Sequence, residues 1–213
     1  ALPSGTRVLA LGDSLTAQQR GYNYVDKVAG WIRQKYGDKV EVFNAGVGGD
    51  YLTRVRDRLD KDVIALKPTR VFIFLGHNDS KLSSTSKYTK PVTPFEQVEP
   101  LFTEMIQKIQ KAGAQVTVMS SSSSNYDVSG ARAAESAKAG KAHNLFGRPD
   151  ALEKFNEGAR KAAEATKSDY LDVYGPTRDC AAKASLFSPS DGVHLTQAGN
   201  RFLALEVLKY LGK

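Results

Sequence analysis

Five short apolar runs alternate with five longer amphipathic segments along this 213-residue chain, and that alternation restricts the fold more than any other feature. The runs are Arg7–Leu11, Val40–Asn44, Val71–Leu75 and Gln115–Ser120, with a weaker one at Tyr170–Val173. They are rich in β-branched residues and apolar on both faces, the pattern of strands buried in a parallel sheet. Between them, helical periodicity predicts Tyr24–Tyr36, Tyr51–Leu66, Pro94–Ala112, Pro149–Thr166 and Thr196–Leu211. Such an order implies right-handed βαβ units and a doubly wound sheet. With no internal repeat and no break in composition, residues 1–213 are expected to form one domain.

Local signals refine this outline. Thr93 is expected to cap the third helix, with Pro94 at its first position, Glu96 closing a capping box and Gly113 ending it. Pro100 inside that pattern predicts a kink or a split. In the fourth helix Leu152, Phe155, Ala159 and Ala162 share a face that should pack on the sheet. Two stretches fit no regular element: Ser80–Lys90, and Ser121–Arg148, which opens with the rest of the serine run Ser120–Ser124. Loops this long usually carry function or are disordered. Part of the second, around Ala131–Ala142, can form a short Ala-rich helix.

Four fragments carry the chemistry: Gly12-Asp13-Ser14-Leu15-Thr16, Gly48-Gly49-Asp50, Gly76-His77-Asn78-Asp79 and Asp191-Gly192-Val193-His194. The first three follow predicted strands, so one sheet edge gathers them, the edge where open α/β sheets place their ligands. Ser14 alone reads as a helix-capping serine; with the other fragments it reads as a nucleophile. Asp191 and His194 are spaced to face one side of a turn, where the carboxylate can orient the imidazole as a base. The backbone N–H groups of Ser14 and Gly49 and the side-chain amide of Asn78 are expected to form an oxyanion hole. His77 reads as a structural hydrogen-bonder or a substrate contact, and His143 lies in the long loop. Asp13, Asp50 and Asp79 read first as turn-forming carboxylates. The Gly-x-Ser-x-Gly elbow of the α/β-hydrolases is absent.

Composition narrows the function classes. A formal charge of +7 suggests anionic partners, yet no zinc-finger spacing, RNP-like strand or long basic helix accompanies it, so nucleic-acid binding is not expected. No apolar run reaches the roughly 20 residues of a membrane span. No cluster has metal-ligand spacing, and no cofactor is required. The lone Cys180 forbids an internal disulfide and reads as a small buried residue. The opening Ala1-Leu2-Pro3-Ser4-Gly5 fits a terminus left by signal cleavage or a cloning boundary, a reading that leans toward a secreted or periplasmic protein.

On these fragments the chain resembles the SGNH hydrolases, the GDSL esterase/lipase family. Asn44-Ala45-Gly46-Val47-Gly48-Gly49-Asp50 is similar to the family's second block and Gly76-His77-Asn78-Asp79 to its third, while the stretch from Arg58 to Pro68 also reads as family sequence. The resemblance implies a flavodoxin-like three-layer α/β/α sandwich on a five-stranded parallel sheet. It further implies a serine esterase with Ser14 as nucleophile, Asp191 and His194 completing the triad, and Gly49 and Asn78 completing the oxyanion hole. The Gly-His-Asn-Asp form is common among members acting on acetylated sugars. Where many relatives carry Thr-Pro after the fourth strand, this chain has its serine run and a long loop.

The expected reaction is hydrolysis of short acyl esters, with a glycan or small-molecule ester as substrate. Lys81, Lys87 and Lys90 in one loop, and Arg132, Lys138, Lys141 and Arg148 against Glu135 in the other, suggest an anionic one. Candidate substrate-binding residues are His77, Lys81, Lys87, Arg132 and His143. A lysophospholipase or thioesterase would need an apolar acyl channel, for which the loops offer Leu82, Tyr88, Leu145 and Phe146. An acyltransferase or a non-hydrolytic carbohydrate binder is the alternative of a different class.

Overall fold

Alternate residues of each central strand point to opposite sides of the sheet, and in this chain both sets are apolar. A computed structural model describes residues 2–212, so Ala1 of the opening segment lies outside the described residues. The strands are β1 (Thr6–Gly12), β2 (Val40–Gly46), β3 (Arg70–Phe74), β4 (Leu82–Ser83), β5 (Gln115–Met119), β6 (Asn144–Leu145) and β7 (Asp169–Leu171). Five of them form one parallel sheet in the order β2-β1-β3-β5-β7. This is the flavodoxin-like order, and its direction reverses at β1 and β3.

Leu9, Leu11, Val71, Ile73, Val116 and Val118 face one side of the sheet. The helices Phe95–Lys111 and Pro149–Ala165 cover them through Val98, Phe102, Met105, Phe155, Ala159 and Ala162. Val8, Ala10, Phe72, Phe74 and Met119 face the other side, against Val25, Val28 and Ile32 of Tyr24–Tyr36 and Leu203 and Val207 of Gln197–Gly212. The result is the three-layer α/β/α sandwich, hydrophobic on both sheet faces.

Three local expectations differ from the structure. The segment Tyr51–Leu66 is not one helix but Leu52–Asp57, Leu59–Asp62 and a 3-10 turn at Ile64–Leu66. Leu52, Val55, Leu59 and Val63 are all fully buried, so the helical period survives in the burial while the backbone breaks at Arg58. That side chain bridges Asp50 at 2.6 Å and the Gly12 carbonyl at 3.2 Å. Thr93 does not cap the third helix: Pro94 occupies the cap position without a side-chain bond, and the Thr93 hydroxyl donates to Asp79 Oδ1 at 2.6 Å. Pro100 does not split Phe95–Lys111, which runs through it, and it stands on the exposed face of that helix.

The two stretches expected to be irregular are ordered against each other. Leu82 and Ser83 pair antiparallel with Leu145 and Asn144, making a two-stranded sheet of β4 and β6. The helix in the second stretch runs Tyr126–Lys138, earlier than the Ala-rich core suggests. The serine run is buried, with Ser120 to Ser124 at 0–3% exposure.

Candidate active site

The carboxyl ends of β1, β2 and β3 lie side by side, with Gly12 in register with Gly46 and with Phe74. Beyond them the chain turns into Asp13-Ser14, Gly48-Gly49 and His77-Asn78, and of these Ser14, Gly48, Gly49, His77 and Asn78 line one cleft of about 480 Å³ together with Asp191 and His194. The sheet therefore brings the four fragments together.

Ser14 opens a single helical turn, Ser14–Ala17, whose cap is Asp13. Its Oγ stands 2.9 Å from His194 Nε2, and His194 Nδ1 stands 3.0 Å from Asp191 Oδ2. Asp191 Oδ1 accepts from the backbone N–H groups of Val193 and His194, each at 2.8 Å. Burial works to raise the Asp191 pKa, but these two bonds and the imidazole hold the carboxyl below its ordinary range. An ionised Asp191 of this kind can hold one imidazole tautomer and stabilise its protonated form.

Gly49 has φ +81°, and apart from its two chain neighbours no residue comes within 4 Å of where its Cβ would stand. A side chain there would strain the backbone and enter the open cleft, so glycine suits the position twice over. Asn78 is buried and donates through Nδ2 to Asp13 Oδ2 at 3.3 Å. Asp13 Oδ1 accepts from Leu15 N–H at 2.9 Å, so one carboxylate links the Ser14 turn to Asn78. Burial pushes the Asp13 pKa up to about 7 against both hydrogen bonds, and Asp79 and Asp50 push the same way. Asp79 is likewise raised by burial to about 6 and accepts from Leu52 N–H and the Thr93 hydroxyl. Asp13 and Asp79 therefore do more than form turns, and only the folded distances reveal it.

His77 is 3% exposed, lines the cleft and bonds Ser122 Oγ through Nε2 at 3.2 Å, while Nδ1 has no protein partner. Burial, followed by the charge of His194, lowers its pKa to about 4, so it is a neutral imidazole near pH 7. Arg132 and His143 also line the cleft, His143 with both ring nitrogens engaged, one by Tyr88 OH and one by the Lys141 carbonyl. Lys81 and Lys87 do not line it. The Lys81 ammonium instead sits 5.4 Å from the Phe146 ring centroid, and Lys87 is an exposed left-handed residue at φ 51° closing the turn Ser84–Ser86. Of the loop cations, only Arg132 reaches the cleft, and Arg148 pairs with Asp150 at 2.6 Å. Val193 of the fourth fragment also lines it, as do Gln18, Ser129, Ser136 and Asn144, which no sequence signal marked. Among the described residues no three His, Cys, Asp or Glu side chains converge as metal ligands, and no helix is long and apolar enough to cross a membrane.

Comparison with known proteins adds four findings. The model of the GDSL-like Lipase/Acylhydrolase family matches residues 10–202. An acetylxylan esterase of Geobacillus stearothermophilus is 34% identical over 89 residues, a match spanning 36% of this chain and 41% of that protein, less than half of either. A lipase/acylhydrolase structure from Enterococcus faecalis superposes with a TM-score of 0.74 at 22% identity, covering 97% of this chain and 95% of that one. An acetylxylan esterase structure from Geobacillus stearothermophilus does so with a TM-score of 0.74 at 21% identity, covering 99% and 96%. At these identities the structural likeness is one of fold.

Proposed function

The chain belongs to the GDSL-like Lipase/Acylhydrolase family, and from that premise we propose that it is a serine esterase releasing short acyl groups, acetyl first, from carbohydrate esters. The observation that carries the reading is the unbroken relay from Ser14 Oγ through His194 to Asp191, at 2.9 and 3.0 Å. In the proposed reaction His194 Nε2 takes the Ser14 proton as Oγ attacks the ester carbonyl carbon. The N–H groups of Ser14 and Gly49 and the Asn78 amide hold the oxyanion. The carbon–oxygen bond to the alcohol then breaks, His194 returns the proton to the departing alkoxide, and an acyl-enzyme remains. Water enters, loses a proton to His194, attacks the acyl carbon, and the acid leaves as Ser14 recovers its proton.

The carbohydrate assignment rests on the partial similarity to a protein named acetylxylan esterase and on the lining of the cleft. Ser129, Ser136 and Asn144 offer hydroxyl and amide groups to the cleft beside the apolar Ala133, Phe146 and Val193. Of the loop residues offered for such a channel, Leu82 is buried at 2% exposure and only Phe146 lines the cleft. Hydrolysis of p-nitrophenyl acetate by the wild type and by Ser14→Ala tests the mechanism. Loss of about 10³-fold or more in the variant is expected, and equal rates would remove the triad reading. A fall in rate beyond propionyl esters is expected from a sugar acetylesterase; a rise toward long chains would favour the lysophospholipase or thioesterase.

A further inference from the structure

This inference rests on the serine-esterase reading and concerns which half of the ester meets the arm formed by the two long loops. Besides the β4–β6 pairing, Ser84 N–H bonds the His143 carbonyl and His143 N–H bonds Ser84 Oγ, both at 3.0 Å. The arm leans on the segment that carries the base. Asn125 N–H donates to the Gly192 carbonyl at 2.8 Å, and Arg132 Nη1 donates to the Ser190 carbonyl at 3.3 Å. A Cβ at Gly192 would stand 2.2 Å from the Asn125 carbonyl oxygen, so only glycine allows the approach, and φ there is +73°. The base must return its proton to the leaving alkoxide, so the alcohol half of the ester has to lie on the His194 side of Ser14. That is the side the arm walls.

The arm presents two groups suited to a sugar there. Phe146 is the one Phe, Tyr or Trp among the residues lining the cleft. Its carbonyl accepts from Ser129 Oγ at 2.9 Å, which holds the backbone, and the Lys81 ammonium lies 5.4 Å from the ring centroid. A pyranose has an apolar C–H face that loses water favourably against an aromatic ring, while its hydroxyls reach polar groups at the edges. Arg132 and Ser136 supply such groups, spaced to share one face of Tyr126–Lys138. Arg132 has no ion-pair partner among the described residues, and its single hydrogen bond uses one of five N–H donors.

We propose that the arm is a subsite for the alcohol half of the substrate, an O-acylated uronic acid ring, with Phe146 under its C–H face and Arg132 bonding its carboxylate. The tests are vinyl acetate, whose leaving group is too small to reach the arm, and O-acetylated methyl glucuronoside and methyl glucoside, which differ only at C6. For Phe146→Leu, the ratio of kcat/KM on either sugar ester to that on vinyl acetate is expected to fall roughly tenfold. Phe146→Tyr, which keeps the flat face, should restore it. For Arg132→Gln, the preference for the glucuronoside over the glucoside is expected to collapse to about one. Ratios unmoved by either substitution overturn the subsite. A changed preference between vinyl acetate and vinyl butyrate in Phe146→Leu also overturns it, by putting the ring on the acyl side. Failure of the esterase reading looks different: wild type and Ser14→Ala would then treat vinyl acetate alike. Binding of the glucuronoside to the Ser14→Ala protein, followed by NMR at millimolar sugar, decides the subsite in that case as well. Binding lost on adding Phe146→Leu supports it; equal binding, or none, overturns it.

Discussion

Asp13 stands beside the proposed nucleophile, 1% exposed, and accepts from Leu15 N–H with one oxygen and from Asn78 Nδ2 with the other. An asparagine at this position has a single oxygen and can serve only one of those donors. Asp13→Asn is therefore expected to loosen the Asn78 amide and lower kcat about 10- to 100-fold with little change in KM, while Asn78→Ala lowers it about 10²–10³-fold. If Asp13 acts through Asn78, the double variant is no slower than Asn78→Ala alone; multiplied losses would place its effect elsewhere. Linkage gives a second, independent readout. The Asp13 pKa rises from 3.8 to about 7 on folding, so between those values the folded protein keeps a proton that the unfolded chain has released. Stability must then fall as pH rises through that window. His77, lowered to about 4, works in the opposite direction below its ordinary 6.5, so the comparison is between two proteins at each pH. Urea unfolding at about pH 5 and about pH 8 should show Asp13→Asn gaining stability relative to wild type at the higher pH; a constant difference would contradict the assignment. Of all this, only the presence of Asp13 next to Ser14 was legible in the sequence, since its partner lies 65 residues away.

At the scale of elements, the expected strands and most helices were legible because their signals are local: alternating or helical burial, Pro and Gly punctuation. The serine run was not. Five serines resemble a loop by composition, yet the fold buries them and finds partners for backbone groups along the run, while the Ser121 and Ser123 hydroxyls stay without one. Ser120 N–H bonds the Leu171 carbonyl, Ser121 N–H bonds Asn156 Oδ1 and Ser123 N–H bonds Thr177 Oγ1. Thr93 failed as a cap for a related reason: a tertiary acceptor, Asp79, competes for its hydroxyl. The junction between the arm helix and the Asp191–His194 segment is similarly non-local. Gly192→Ala places a methyl 2.2 Å from the Asn125 carbonyl oxygen and is expected to cost about 2 kcal/mol or more in thermal unfolding. It should lower turnover as well, because the same displacement moves Asp191 and His194. A variant of unchanged stability would show that the arm moves aside at little cost.

The whole molecule carries a formal charge of +7, and Arg132 is the cation it presents inside the cleft. Long-range attraction should therefore speed capture of an anionic ester and be screened by salt. Raising ionic strength from about 0.01 to about 0.3 M is expected to reduce kcat/KM for the acetylated glucuronoside several-fold and to leave the glucoside within about twofold. Equal responses would mean that the lysines Lys81, Lys87, Lys138 and Lys141 only solvate the surface. The sequence by itself determined the layered α/β class and the gathering of the first three fragments at one sheet edge, because the alternation of strand and helix follows from periodicity and right-handed βαβ units keep the strands parallel. It equally marked Ser14, Gly49, Asn78, Asp191 and His194 by residue type and neighbour. Only the tertiary structure decided that Lys81 and Lys87 miss the cleft, that Leu82 pairs with Leu145, and that Asp13 reaches Asn78. The physical reason is that a loop's own residues leave its path open, and the partners that settle it come from segments brought close only when the sheet is formed.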